Sequence, residues 1–111
     1  MNKKNKILKI YQDENGNEPF IEWMDSIKDL KTRNRIFTRL DRLEVGNPGD
    51  HSPVGSGVLE LKLHFGPGYR IYYGEDGDVL VILLMGGDKK TQPKDIKKAQ
   101  FYWKNYKEKK K

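Results

Sequence analysis

The chain has 111 residues, with 22 Lys or Arg against 16 Asp or Glu and a formal charge of +6 at pH 7. That length holds one domain with its own hydrophobic core. The lack of cysteine excludes disulfide staples and thiolate metal sites, while the cationic excess favours a polyanionic partner, nucleic acid first.

The opening run MNKKNKILKIYQ is basic but too poor in apolar residues for a signal peptide. No window approaches the ~20 apolar residues of a membrane span, so a cytoplasmic location with no membrane partner is expected. Ile7, Leu8, Ile10 and Tyr11 predict a first strand, closed by the turn residues Asp13 to Asn17. Pro19 suits the first turn of a helix whose Phe20, Trp23, Met24 and Ile27 share a face. A second helix, from about Thr32 to Val45, carries Ile36, Phe37, Leu40 and Leu43 at helical intervals and is expected to form a hairpin with the first.

Gly46-Asn47-Pro48-Gly49-Asp50 stops that helix, and the segment to Gly57 reads as loop. Alternation is strict in the next strand: Leu59, Leu61, Leu63 and Phe65 on one face, Glu60, Lys62 and His64 on the other. A Gly66-Pro67-Gly68 turn leads to Tyr69-Arg70-Ile71-Tyr72-Tyr73. The run Val79 to Met85 is apolar on both faces and belongs in mid-sheet. Thr91 caps a last helix with Pro93 in its first turn and Ile96, Ala99, Trp103 and Tyr106 along one face. Residues 107–111 read as a frayed basic tail to a single domain spanning 1–111.

The tight turn pairs the second and third strands as a hairpin. With Leu59, Leu61, Leu63, Tyr69, Ile71 and Tyr73 directed at the helices, Arg70 and Tyr72 join Lys62 and His64 on an open face. The opposite register would bury an arginine. Arginine grips phosphate with two N–H groups, Lys62 adds charge, and Lys89 and Lys90 reach the rim. Tyr72 is suited to stacking on a base and His64 to moving a proton near neutral pH. Taken singly, Lys62 reads as a solubilising lysine, His64 as a surface histidine and Tyr72 as a packing residue. Their convergence on one face points to RNA. His51 and His64 are too far apart for a zinc site; no GK[ST] follows the glycines and no nucleophile elbow occurs. No metal or cofactor is expected.

The stretch LELKLHFGPGYRIYYGEDGDVLVILLMGGDKKTQPKDIKKAQFYW, residues 59–103, together with PFIEWMDSI, residues 19–27, resembles the RelE/ParE superfamily of bacterial toxins in its HigB-like branch of addiction-module killer proteins. The resemblance covers nearly the whole chain. It implies an α+β, β-α-α-β-β-β-α fold with a four-stranded, mostly antiparallel curved sheet, strand four between strands one and three, and the helices packed on one face. It also implies a type II toxin, silenced by a cognate antitoxin of the helix-turn-helix kind. RelE-type members cut mRNA on the ribosome and so inhibit translation, a ribose 2′-hydroxyl attacking the adjacent phosphate. By this resemblance Arg70 falls on the arginine that stabilises charge on that phosphate, Lys62 on a strand-two lysine, and Lys89 close to the basic residue after strand four. Glu60 departs from the RelE pattern, which has lysine there. The C-terminal tyrosine of RelE falls near Ile96, leaving Tyr72, Tyr102 or His64 to handle the proton. Two alternatives stay open: a ParE-like inhibitor of DNA gyrase with no catalysis of its own, and an inactive RNA-binding relative.

Overall fold

A computed structural model describes residues 5–110, so the lysines at the start of the basic leading run, up to position 4, and the last residue lie outside the described residues. The elements run β1 (Ile7–Ile10), α1 (Pro19–Ser26), α2 (Leu30–Glu44), β2 (His51–Pro53), β3 (Val58–Lys62), β4 (Tyr69–Asp76), β5 (Leu80–Asp88) and α3 (Gln92–Lys110). They form one sheet of order β1-β5-β4-β3-β2, with β1 parallel to β5 and every other pair antiparallel. The α+β class and the interior place of the doubly apolar strand, between β1 and β4, are as expected.

Two features differ from expectation. The sheet has five strands, because His51–Pro53 pairs with β3 at Leu61, Glu60 and Leu59. Three residues give alternation no room to show, and Pro53, which has no N–H, is tolerated at a sheet edge. Second, the helices do not share one face. Phe20, Met24 and Ile27 of the α1 segment and Ile36, Leu40 and Leu43 of α2 pack with Leu61, Leu63, Ile71, Tyr73, Val81 and Leu83. On the other side Ala99 and Trp103 of α3 pack with Tyr11, Val58, Tyr72, Ile82, Leu84 and Met85. The cause lies in β5: Val81 and Leu83 look one way, Ile82 and Leu84 the other, and both sets need cover. A bulge between Tyr72 and Tyr73, which pair with Met85 and Leu83, sets Leu84 outside the ladder.

Local chemistry sets the ends. Asp29 accepts from Thr32 N at 3.0 Å, so α2 starts at Leu30, earlier than its apolar stripe. Arg33 Nη1 donates to Met24 O at 2.5 Å and ties the end of α1 to α2. Phe37, counted in the apolar stripe from sequence, is 44% exposed with the Arg33 guanidinium above its ring. Trp103 lies flat against Gly74, where a Cβ would come within 2.5 Å of the ring. The helix α3 continues to Lys110, where Nζ meets Asp76 at 2.6 Å, instead of fraying from residue 107. No helix among the described residues is long and apolar enough to cross a membrane.

Candidate functional site

The hairpin register lines up the basic residues. Lys62 stands opposite Arg70, and Arg70 opposite Gly87. One step deeper, Glu60 stands opposite Tyr72, and Tyr72 opposite Met85. The alternation read from sequence is therefore right: Glu60, Lys62, Arg70 and Tyr72 share a face. That face is not open, because α3 crosses it from Gln92 onward.

The deeper row is closed. Glu60 is 1% exposed, and its Oε2 accepts from the Tyr72 hydroxyl at 2.9 Å and from Gln92 Nε2 at 2.8 Å. Arg70 Nε lies 3.8 Å from the same oxygen. Tyr72 is fully buried, and burial first, then the Glu60 charge, pushes its pKa far up. The expectation that Tyr72 stacks on a base or handles a proton is thus corrected. Its hydroxyl is an obligate donor to Glu60, out of reach of a ligand.

Arg70 sits at the edge of the cover. It is 9% exposed, its Nη1 donates to Gly68 O at 3.0 Å, and its Nε is buried without a hydrogen bond. The freely exposed guanidinium expected from sequence is corrected to one largely enclosed, with Glu60 beneath it. Gly68, at φ +77°, makes room for it: a Cβ there would sit 3.4 Å from Arg70 Nη1 and 3.3 Å from Lys89 Cβ. Lys89 and the guanidinium therefore flank the same glycine. Lys62 is the cross-strand neighbour of Arg70, Lys89 begins beside the same glycine, and the Lys62 charge also acts on Asp50. Lys90 is exposed in the turn closed by Asp88, whose Oδ1 accepts from Lys90 N and Thr91 N. The Thr91 hydroxyl in turn donates to buried Asp95 at 2.5 Å.

His64 is engaged elsewhere. Its Nε2 meets Asp50 Oδ2 at 2.5 Å, and that contact first, with Lys62 and Arg39 adding, holds the Asp50 carboxyl below the usual range. The exposed imidazole borders a cleft formed with the α2 arginines, so its contacts are with Asp50 and α2 and not with Arg70. Among the described residues no three His, Asp or Glu side chains converge as a metal site requires.

Sequence reasoning missed Gln92 and Asp95 and gave Glu60 no structural part. Cross-strand pairing of Glu60 with Tyr72, diagonal to Arg70, was the available signal. It also passed over Arg35, Arg39 and Arg42, whose spacing of four and three residues marks one helical stripe.

The family described as Phage derived protein Gp49-like (DUF891) matches residues 22–107. A protein of Haemophilus influenzae described as an uncharacterized protein is 47% identical over 81 residues, 73% of this chain and 82% of the relative.

Proposed function

The chain belongs to the phage-derived Gp49-like family, a toxin-like family of the RelE type, and from that premise we propose that it is a type II toxin of HigB-like kind that cuts mRNA on the ribosome. The observation that carries the reading is the pairing of Lys62 with Arg70 across the hairpin, with Lys89 set beside the same guanidinium at Gly68. Three cations at one place suit a phosphodiester whose charge grows during reaction. In the proposed step the ribose 2′-oxygen bonds to phosphorus and the bond from phosphorus to the 5′-oxygen breaks. The 2′-hydroxyl proton leaves to a base, a proton reaches the 5′-oxygen, and a 2′,3′-cyclic phosphate remains. Arg70 is preset by Gly68 O and Glu60, so little reorganisation accompanies the charge. His64, held through Nε2 by Asp50, borders the α2 cleft and stands apart from these three cations, so it is given no proton to move at the scissile phosphate. Lys90 adds charge beside Lys89 for RNA binding. The partners are mRNA on the cytoplasmic ribosome and a cognate helix-turn-helix antitoxin.

The purified protein, added to a translation extract, is expected to stop synthesis and leave mRNA fragments ending in 2′,3′-cyclic phosphate. Undisturbed synthesis at excess protein overturns the reading. A second reading, ParE-like inhibition of DNA gyrase, is favoured by one observation: Arg70 is mostly covered and faces a carboxylate. Loss of gyrase supercoiling of a plasmid, with mRNA left whole, selects it.

A further inference from the structure

Three arginines that the proposed reaction leaves unused meet the head of the β3–β4 hairpin. Arg35, Arg39 and Arg42 line a cleft of about 310 Å³ together with Thr38, His64 and Phe65. Arg39 forms its base: Nη1 donates to Lys62 O at 2.6 Å, and Nη2 to Pro48 O at 2.7 Å and Asp50 O at 3.0 Å. Its Nε is buried with no partner. Arg35 lies over the Phe65 ring at 3.9 Å, a stack that fixes the guanidinium plane and leaves its N–H rim for a ligand. Among the described residues no carboxylate forms an ion pair with any of the three. Asp50, whose charge reaches Arg39, is tied to His64. Like charges so gathered, with Arg35 and Arg42 exposed at the cleft, are completed by an oxyanion.

We propose that this cleft is a second phosphate subsite, taking another phosphodiester of the same single-stranded RNA whose scissile group lies at Lys62, Arg70 and Lys89. The inference rests on the nuclease reading above and adds a strand path to it. Continuity supports RNA: Arg39 holds the carbonyl of Lys62, and His64 follows Lys62 by two residues, so the two basic groups share the end of one strand. The Arg35–Phe65 stack also supplies the flat cationic and aromatic surface on which unpaired bases lie.

The test uses fluorescence anisotropy with a labelled single-stranded RNA of about ten nucleotides and with a dinucleotide, across a range of salt. The double variant Arg35→Gln, Arg42→Gln changes exposed positions and spares Arg39, which holds three carbonyls. For the longer RNA, the slope of log affinity against log salt is expected to fall by about 0.7 for each phosphate no longer neutralised. Dinucleotide binding is expected to stay unchanged. Arg42→Gln alone repeats the measurement should the double variant not fold. An unaltered slope, with parent protein binding the long RNA, overturns the subsite and leaves the nuclease reading standing. A polyglutamate peptide that binds more tightly than RNA, and is lost in the variant, overturns it in favour of an acidic protein partner. Failure of the parent protein to bind the longer RNA overturns the subsite, while the nuclease reading stands or falls with the translation extract.

Discussion

Tyr72→Phe separates a structural tyrosine from a catalytic one. The change deletes a single oxygen and keeps the ring that packs beneath α3 beside Leu84 and Trp103. It takes from the Glu60 carboxylate a hydrogen bond of 2.9 Å and leaves the one from Gln92 at 2.8 Å. A bond to a charged, buried acceptor contributes about 1.5–3 kcal/mol. Since Gln92 and Arg70 still serve the carboxylate, a loss of about 2 kcal/mol is expected. With a urea dependence of about 2 kcal/mol per molar, the unfolding midpoint falls by about 1 M with an unchanged slope. Folded variant, assayed well below that midpoint, is expected to cut mRNA at the parent rate, because no ligand reaches the hydroxyl. Parent stability combined with lost cleavage would refute the reasoning, since it would make this phenol a participant in the reaction and not a support for Glu60.

Arg70→Ala is expected to lower cleavage by roughly 10²–10³, the scale of one lost charge-stabilising donor. It should also cost about 1–3 kcal/mol in urea unfolding by leaving Glu60 short of a partner; a folded variant as toxic as the parent removes Arg70 from the chemistry. Desolvation, joined at Tyr106 by the Asp76 carboxylate, pushes the Tyr11, Tyr73 and Tyr106 hydroxyls up to about 12 from the ordinary 10.0. A raised folded pKa gives stability that is complete below the unfolded value and lost as pH rises through the folded one. Circular dichroism and tyrosinate absorbance are therefore expected to show unfolding between pH 10 and about 12, and early titration of these three with the fold intact would count against their burial. Gly74→Ala would drive a methyl into the Trp103 ring and is expected to cost about 1–3 kcal/mol, read as a lower melting temperature and altered Trp fluorescence; an unchanged protein would mean that α3 does not lie where described.

What could be read from the residues was the pattern that a single period encodes. Alternation in β3 assigned Leu61 and Leu63 to one side and Glu60 and Lys62 to the other, and the structure keeps that division. Pro19 and the stripe Phe20, Trp23, Met24 marked α1, and the evenly apolar β5 marked an interior strand of the sheet. The side on which α3 docks is not written in any local period. It follows from counting faces: a strand apolar both ways, and a helix carrying Ala99 and Trp103, each need cover, and only one sheet face was still uncovered. The three-residue β2 lies below the length at which alternation can appear. Phe37 failed because Ile36, Leu40 and Leu43 already fill the helix stripe, and a residue one step on is turned away by about 100°.

The placement of α3 explains why an arginine stands in the middle of an aromatic strand. An enclosed guanidinium needs partners, and at this position they are Glu60 below and the Gly68 carbonyl beside it. Those partners fix its direction, yet the carboxylate also offsets part of its charge. Arg70 alone would therefore be a well-aimed but weakened electrophile. Lys62 across the hairpin and Lys89 across Gly68 add positive charge, giving three cations against the two buried carboxylates Glu60 and Asp95, the second lying against Gly87 opposite Arg70. The lysine-to-glutamate departure at position 60 is consistent with this division of labour: orientation is assigned to the buried row and net charge to the exposed one. If that is so, Lys62→Ala and Lys89→Ala together should weaken RNA binding and flatten its salt dependence by about 0.7 per lost contact, while leaving urea stability within about 0.5 kcal/mol of the parent. Stability lost in step with binding would instead tie the lysines to the fold.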